Sequence, residues 1–441
     1  MLKTFPLGGV HPPEKKLTKD TGIKRAELPK MVNVPVSQHI GIPAKIVVKP
    51  KDEVKVGQLI AKSGGYVSSQ IHSPVSGKVT KIDSIIDASG YKTPCIVIRT
   101  DPEATANDDI DTSELKATIT LNKNDILKRI EEYGIVGLGG ATFPAQVKLK
   151  VSPGTKIDTL VINGVECEPY LTADHTLMMA KTEEILVGIR ILMEALEINR
   201  TIIGIENNKK DAIAKFVKAT KGDDRIQVAA LKVKYPQGGE KQLIKAVLNR
   251  EVPKGGLPLQ VGVVVHNVGT VYAIYEAVQH NKPLIERVVT VTGDEVKEPG
   301  NFWVRIGTSV KELIDQAGGL PENTRKVVNG GPMMGKALKS LEAPVTKGTS
   351  GILIIPESLA DRGEVKNCIR CGECVYVCPM GLEPYLLMNL TEKNMIEKAK
   401  QEDISTCIEC GSCSYVCPSH RPLLDFIRYG KALERKLPKN D

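Results

Sequence analysis

Apolar and polar residues alternate in short runs between residues 29 and 100, and Gly and Pro residues separate these runs. Such a pattern is typical of the strands of a small β barrel or sandwich. The expected strands are 44–48, 58–61, 75–82 and 95–99. The preceding residues, 1–28, are rich in Pro, Gly and Lys and predict an irregular arm. Residues 101–114 are polar and acidic and predict a linker.

A different pattern begins at residue 115. Segments with apolar residues at helical spacing alternate with short continuous apolar runs, which predicts strands covered by helices. The expected helices are 125–133, 182–195, 209–219 and 270–280, and the expected strands are 159–162, 200–205 and 261–266. Residues 286–345 return to short strands with one short helix, and this segment resembles the soluble-ligand-binding β-grasp module.

These patterns predict a multidomain α/β protein. Its expected parts are an arm (1–28), an N-terminal barrel-sandwich β domain with its linker (29–114), an α/β domain (115–285), a β-grasp module (286–345) and an α-helical block that holds most of the cysteines (346–441).

Composition narrows the classes of function. The 441 residues are 41% hydrophobic and 25% charged, enough for several cores. The net charge of +8 is spread along the chain and aromatic residues make up only 4%, so the basic stripe and stacking residues of a nucleic-acid binder are missing. No apolar run approaches the roughly 20 residues of a membrane span, and the first residues lack the apolar core of a signal peptide. We therefore expect a cytoplasmic protein that reaches a membrane through partners or surface charge.

Eight of the ten cysteines form two runs with the spacing C-x2-C-x2-C-x3-C-P. This spacing is typical of two-cluster ferredoxins, in which the fourth cysteine of each run ligates the other [4Fe–4S] cluster. One expected ligand set is Cys368, Cys371, Cys374 and Cys417, and the other is Cys407, Cys410, Cys413 and Cys378. Zinc is the alternative, but zinc sites use CxxC pairs set further apart, often with His. The runs therefore predict an electron-transfer protein.

The N-terminal β domain resembles a biotinyl/lipoyl-type domain. The matching pieces are VKVGQ (54–58) and IHSPVSG (71–77). In that family a carrier lysine lies at a hairpin tip, where this chain has Tyr66. Since a phenol cannot form the amide to biotin or lipoate, the resemblance implies the fold without the carrier chemistry.

A glycine-rich segment, GIVGLGGATFP (134–144), precedes Lys148. Glycines let backbone amides approach a phosphate, and a nearby lysine adds positive charge, although a plain turn also explains such a loop. It matches neither the Walker A loop nor the G-x-G-x-x-G fingerprint. Three further segments follow it in the chain: VINGVECEPY (161–170), YPQGGE (235–240) and VHNVGT (265–270).

The four segments, in this order, resemble the flavin- and NADH-binding subunit of respiratory complex I. The resemblance covers roughly residues 120–355 and implies a site for FMN and NAD(H). By position, it implies that Gly139, Gly140 and Lys148 hold the FMN phosphate and ring edge. It also implies that Asn163 and Glu166 form hydrogen bonds with the isoalloxazine ring. The other implied positions are Tyr235, Gly238 and Glu240 in the flavin and nicotinamide cleft, His266, Asn267 and Thr270 around the ribityl phosphate, and Phe143 and Glu168 facing NADH.

Two departures from that family concern the flavin contacts. Leu138 replaces an arginine and Val165 replaces an aspartate, so contacts at those points must be reorganised. The family's own four-cysteine motif is missing, and the ferredoxin-like block stands in its place. Taken singly, Asn163 and Asn267 also suit turns, and Tyr235 also suits packing.

The whole order of parts resembles the C subunit of the Rnf complex, an ion-pumping ferredoxin:NAD oxidoreductase of bacteria. The resemblance implies FMN, two [4Fe–4S] clusters, NAD(H), and docking on the cytoplasmic side of integral membrane partners and Fe–S subunits, with ferredoxin reached indirectly. A flavin suits the position between nicotinamide and clusters because it exchanges either two electrons or one. Two alternatives remain: a soluble cobalamin-type flavin/Fe–S reductase, and an electron relay without nucleotide binding.

Overall fold

A computed structural model describes residues 2–152 and 154–437. Met1 of the predicted arm, Pro153 and the last four residues of the predicted cysteine block lie outside this range. The arm is largely irregular, as expected, except for strand β1 (Ile23–Arg25). Within the described residues, no helix is both long and apolar enough to cross a bilayer.

The N-terminal domain is a pair of small sheets packed on each other. Its strands are β2 (Met31–Pro35), β3 (Lys45–Ile46), β4 (Glu53–Val54), β5 (Leu59–Lys62), β6 (Ile71–His72), β7 (Gly77–Ile86) and β8 (Lys92–Thr100). One sheet has the order β2-β8-β7-β4 and the other β3-β5-β6. Alternate residues such as Val32 and Val34 are buried between them. Helix α1 (Pro102–Asn107) begins the linker, and Tyr66 is exposed.

The second domain surrounds a parallel four-stranded sheet. Its elements are α2 (Lys123–Glu132), α3 (Ala145–Leu149), β9 (Thr159–Gly164), α4 (Ala173–Ala180), α5 (Thr182–Leu196), β10 (Thr201–Glu206), α6 (Lys210–Ala219), β11 (Ile226–Leu231), α7 (Glu240–Leu248), β12 (Val263–Asn267) and α8 (Val268–His280). Leu160 and Ile162 pack with α5 and α8 on one face, and Val161 packs with α7 on the other. Both faces are apolar because helices cover both.

The order of this sheet, β11-β10-β9-β12, places a reversal of strand order at β9. The chain moves from β9 to β10 and β11 on one side, and β12 lies on the other side. In open parallel sheets, ligands bind outside the carboxyl ends of the strands at such a reversal. By this rule a ligand crevice is expected between the ends of β9 and β12, where Asn163 and Asn267 are register partners.

The β-grasp sheet is larger than the sequence predicts. Its elements are β13 (Glu286–Thr292), β14 (Gly300–Arg305), α9 (Val310–Asp315), β15 (Thr324–Asn329), β16 (Lys336–Ala337), β17 (Gly351–Pro356) and α10 (Glu357–Ala360). The strand order is β1-β14-β13-β17-β15-β16. The sheet thus extends beyond the expected bounds 286–345, because β1 comes from the expected arm and β17 from the expected cysteine block. Both strands pair with distant segments, which local periodicity does not reveal.

The cysteine block is helical, with α11 (Glu373–Tyr376), α12 (Pro384–Glu392), α13 (Ile396–Gln401), α14 (Ser412–Val416) and α15 (Leu423–Glu434). The backbone repeats at matching positions of the two cysteine runs. Arg370 and Glu409 have φ of 57° and 58°, and Gly372 and Gly411 both have φ of 79°. The sequence repeat is therefore also a structural repeat.

Candidate flavin and cluster sites

Two asparagines lie side by side at the carboxyl edge of the parallel sheet. Asn163 Nδ2 donates to the carbonyl of Gly238 at 2.8 Å, which ties the end of β9 to the segment before α7. Asn267 Oδ1 accepts from the amide of Gly269 at 2.8 Å and caps α8. Its Nδ2 donates to Asp174 at 2.6 Å. The structure thus brings three of the implied site residues to the crevice at the strand reversal.

The glycine-rich loop borders the same crevice. The Leu138 amide donates to Thr270 Oγ1 at 2.8 Å, which fixes the loop to α8. Gly140 has a φ of 104°, and a Cβ added there would meet no atom within 4 Å. A Cβ at Gly139 would come within 3.3 Å of Asn267. Exposed glycine amides beside open space fit a phosphate.

Lys148 and Glu240 form an ion pair beside the end of β12. Lys148 Nζ lies 2.6 Å from Glu240 Oε1 and also donates to the carbonyl of Val265 at 3.2 Å. Both side chains are about one-third exposed, at 31% and 38%. A lysine and a carboxylate, paired with each other, are therefore partly exposed at this edge of the sheet.

Glu166 lies beneath the crevice with its carboxylate already engaged. Its two carboxylate oxygens accept from the amides of Asp174 and His175, at 2.7 and 3.2 Å, at the start of α4. Burial, and then the nearby charge of Glu166, raise the pKa of Asp174 to about 7. The carboxyl groups of Glu166 and Asp174 therefore lie close together at the start of α4, and both are partly exposed.

Glu168 and Phe143 were expected to face NADH, and the structure shows which groups of the chain each of them contacts. Glu168 accepts from the amides of Met333 and Met334, at 3.1 and 2.7 Å. Burial raises its pKa to about 7. Glu168 thus fixes a turn of the β-grasp module, whereas the carbonyl of Phe143 accepts from Gly137 and closes the glycine loop.

His266 is the member of its segment that has a ring, and this ring is enclosed. It is buried, its Nε2 has no partner among the described residues, and burial lowers its pKa to about 3. A neutral imidazole in this position supplies no positive charge. The neighbouring Asn267 and Thr270 are the two members of that segment that contact the crevice and its loop.

Tyr235 was expected in the flavin cleft but lies at a domain boundary. Its side chain is 2% exposed, and its hydroxyl donates to the backbone carbonyl of Cys410 at 2.7 Å. The arm residue Val10 exchanges two backbone hydrogen bonds with Tyr235, both 2.8 Å. Tyr235 therefore links the flavin domain, the arm and the cysteine block.

The cysteines form two groups that exchange their fourth members. Cys378, Cys407, Cys410 and Cys413 line one cavity. Burial raises the pKa of Cys374, and the neighbouring thiols that raise it further are Cys417, Cys368 and Cys371. This arrangement fits the crossed ligand sets. Within the described chain, no three Cys, His, Asp or Glu side chains converge closely enough for a single metal ion.

The two cysteine groups differ in exposure. Cys378, Cys410 and Cys413 are buried, whereas Cys368 and Cys371 are exposed. The buried group also lies nearer to the flavin domain, because Gln242 of α7 donates to the carbonyl of Pro379 at 3.3 Å. One cluster site thus faces the crevice domain and the other faces solvent.

Several residues at the site have no motif that marks them. Lys16 of the arm is partly buried and donates to the carbonyls of Glu166, Glu168 and Leu171, at 2.8, 2.9 and 2.6 Å. Burial lowers its pKa to about 8. Arg287 and Lys347 of the β-grasp module contact the glycine loop from behind. In a sequence, such lysines and arginines are indistinguishable from solvated surface charge.

Comparison with known families matches each part of the chain. The matching families are the RnfC barrel sandwich hybrid domain (residues 3–103), the Nuo51 FMN-binding domain (130–276), the SLBB domain (288–337) and the 4Fe-4S dicluster domain (354–430). The predicted fold class is confirmed. The fold and the sites define an electron-transfer protein with an FMN-binding domain and a 4Fe–4S dicluster domain.

Relatives along the full length refine this class. The C subunit of the proton-translocating ferredoxin:NAD(+) oxidoreductase complex of Clostridium ljungdahlii is 47% identical, over 99% of this chain and 95% of that protein. The corresponding subunit of the Na(+)-translocating complex of Acetobacterium woodii is 45% identical, over 96% of both chains. The chain therefore belongs to the family of C subunits of the ion-translocating ferredoxin:NAD oxidoreductase (Rnf) complexes. These relatives favour the predicted family and not the cobalamin-type alternative.

A solved structure shares the fold. An NAD+-reducing [NiFe]-hydrogenase in its H2-reduced state matches 73% of this chain and 64% of that chain, with a TM-score of 0.51 and 19% identity. At this identity the likeness concerns the fold alone.

Proposed function

We propose that this chain is the electron-transfer subunit of an ion-translocating ferredoxin:NAD+ oxidoreductase, and that it passes electrons between NAD(H), FMN and two [4Fe–4S] clusters. The three sites on this electron path follow one another in space through the folded chain. The crevice with the glycine loop comes first, the buried cysteine group second, and the exposed cysteine group last.

The observation that carries the proposal is the contact between the crevice domain and the buried cysteine group. The Tyr235 hydroxyl donates to Cys410, and Gln242 donates to the carbonyl of Pro379, the residue after Cys378. Both donors come from the segment that also contains Gly238 and Glu240 of the crevice. A two-electron site and a one-electron site that share a packed boundary suit stepwise electron transfer.

The residues present fit the proposed groups. The glycine loop and Lys148 would hold the FMN phosphate, and Asn163 and Glu240 would contact the ring side of the crevice. A bound flavin would supply the exchange between hydride and single electrons. Four thiolates in each cysteine group would ligate one cluster. No side chain has to act as an acid or base in hydride transfer, so Glu240 is proposed to orient the nicotinamide or its ribose.

The exposed cysteine group suggests where electrons enter or leave the chain. A partner protein could approach this group without displacing any domain. We propose that the chain docks peripherally on the cytoplasmic side of membrane subunits and exchanges electrons with a partner there.

Anaerobic purification followed by iron, sulfide and flavin analysis tests the proposal, with NADH titration as the second step. We expect about eight irons and one FMN per chain, and bleaching of the flavin by NADH. An FMN-loaded protein that NADH cannot reduce would refute the NAD(H) part and favour a relay. A protein that binds no flavin at all would refute the flavin site.

A further inference from the structure

Lys347 is a buried cation without a carboxylate partner. Its Nζ donates to the carbonyls of Gln70 and Gly134, both at 2.7 Å, and no carboxylate of the described chain lies within 4.0 Å of it. Burial is the cause that lowers its pKa to about 7. Gln70 belongs to the barrel-sandwich domain, and Gly134 begins the glycine-rich segment.

Arg287, on strand β13, is a second buried cation behind the same loop. Its guanidinium donates to the carbonyl of Leu138 at 3.2 Å and to the carbonyl of Lys347. Within the described residues, Arg287 forms no ion pair shorter than 4.0 Å. Burial lowers its pKa to about 10. The negative charge of Asp174, which lies further away, acts to raise this pKa.

The contact of Arg287 with Leu138 sets the direction of the next amide. In a trans peptide, the carbonyl of one residue and the N–H of the following residue point in opposite directions. Because the Leu138 carbonyl points inward to Arg287, the Gly139 N–H points away from it. Gly139 and Gly140 are exposed, and the space beside Gly140 is open. The buried cation thus fixes an amide of the loop so that it points away from the β-grasp module.

Lys347 lies on a segment that packs directly against the loop. A Cβ added at the neighbouring Gly348 would come within 2.8 Å of Thr142 and 3.8 Å of the Gly140 carbonyl. Burying a cation without a counter-ion is unfavourable. Two such cations lie on one side of the glycine loop, and the amides of Gly139 and Gly140 donate to no acceptor among the described residues. An anion that binds at the loop best explains both observations.

We propose that Lys347 and Arg287 form a cationic support, outside the flavin motifs, for the phosphate of FMN. This inference rests on the proposed flavin site. Neither residue touches the phosphate. Both are positioning residues that direct loop amides outward and supply positive potential through the loop. The complex I family has an arginine at the position of Leu138. Arg287 thereby supplies a positive charge from another domain in place of that arginine.

The test compares FMN with riboflavin, which lacks the phosphate, on the full chain after flavin removal. For Lys347→Met we expect FMN affinity to fall about tenfold or more, because a charge interaction through protein is lost. Riboflavin affinity should change less than about threefold, since the neutral ligand has no such interaction. Arg287→Met should act in the same direction. Lys123→Met is the matched control, because it removes an equal charge at an exposed lysine paired with Glu197.

Lys347→Gln serves as a second variant if the methionine variant does not fold, because an amide can still donate to the two carbonyls. Equal losses of FMN and riboflavin affinity would show a packing role and overturn the inference. Unchanged affinities for both ligands would also overturn it. A wild-type chain that binds neither ligand would instead refute the flavin site itself, so the two failures are distinguishable.

Discussion

The phenolic oxygen of Tyr235 lies 2.7 Å from the backbone carbonyl oxygen of Cys410 and donates a hydrogen bond to it. Tyr235 belongs to a motif that the sequence assigns to the flavin cleft, and Cys410 belongs to the second cysteine run. Desolvation raises the pKa of Tyr235 well above its usual value, so the phenol remains a donor at all physiological pH values. The contact thus joins the segment that also contains Gly238 and Glu240 to the second cysteine run through a single buried side chain.

Removing this donor should alter the buried cluster selectively. In Tyr235→Phe we expect the reduction potential of the Cys407-containing cluster to fall, because a hydrogen-bond dipole that stabilises added negative charge is lost. The free energy of unfolding should fall by about 1–3 kcal/mol, because a buried carbonyl loses its donor. EPR-monitored redox titration measures the first effect. Tyr429→Phe is the control, since Tyr429 on α15 is 56% exposed and lies outside both cysteine runs. Equal shifts in both variants would contradict the assignment.

The crossed ligand sets predict opposite outcomes for two serine variants. Cys378→Ser should damage the cluster held by Cys407, Cys410 and Cys413, because Cys378 lines their cavity. Cys417→Ser should damage the cluster of the first run. Iron analysis should fall from about eight toward about four per chain in each variant, and EPR identifies which signal remains. Loss of the first-run cluster in Cys378→Ser would show that the ligands do not cross.

Asn267 has two separable contacts, which two variants distinguish. Asn267→Ala loses the cap of α8 and the bond to Asp174, whereas Asn267→Ser keeps an oxygen that can cap the helix. We expect the alanine variant to lose about 1 kcal/mol more unfolding free energy than the serine variant. Both should bind FMN more weakly. Urea unfolding and FMN titration measure these effects, and equal stability of the two variants would exclude a capping role.

Local patterns predict the parts of this chain that depend on short-range chemistry. The spacing around Cys368 and Cys407 predicts the cluster block, and the expected strand 95–99 lies within β8 of the barrel-sandwich. The positions of Asn163 and Asn267 at the ends of two neighbouring parallel strands place the implied crevice residues together. These features follow from side-chain period and strand direction, which sequence encodes directly.

Long-range pairing and burial account for what sequence does not reveal. Strand β1 is three residues long and pairs with β14. Its residue Arg25 is the register partner of Trp303, which is far away in the chain. Glu168 has the polarity of a ligand contact, yet it caps a distant turn. Lys347 has the character of a surface lysine, and only the contact of three domains buries it. Such features depend on tertiary packing rather than on local pattern.

The same burial gives Lys347 a pH signature in the flavin-free chain. Its pKa is about 7 in the folded state, compared with the ordinary lysine value of 10.5 that the unfolded chain retains. Below pH 7 the amine is charged in both states, so the full cost of burying it opposes folding. Between these two pKa values, the unfolded chain keeps the proton on Lys347 that the folded chain has lost. The folded wild type therefore gains stability as pH rises through this window, by at most about 1.4 kcal/mol per pH unit.

Lys347→Met isolates this contribution because the variant lacks the titrating group. We expect the unfolding free energy of the flavin-free wild type, minus that of the variant, to be flat below pH 7 and to increase from pH 7 to about pH 9. Urea unfolding of both proteins across this range measures it. With FMN bound, the phosphate charge should raise the pKa of Lys347 and move the increase to higher pH. A difference that is independent of pH would show that Lys347 keeps an ordinary pKa in the folded chain and lies in solvent-like surroundings.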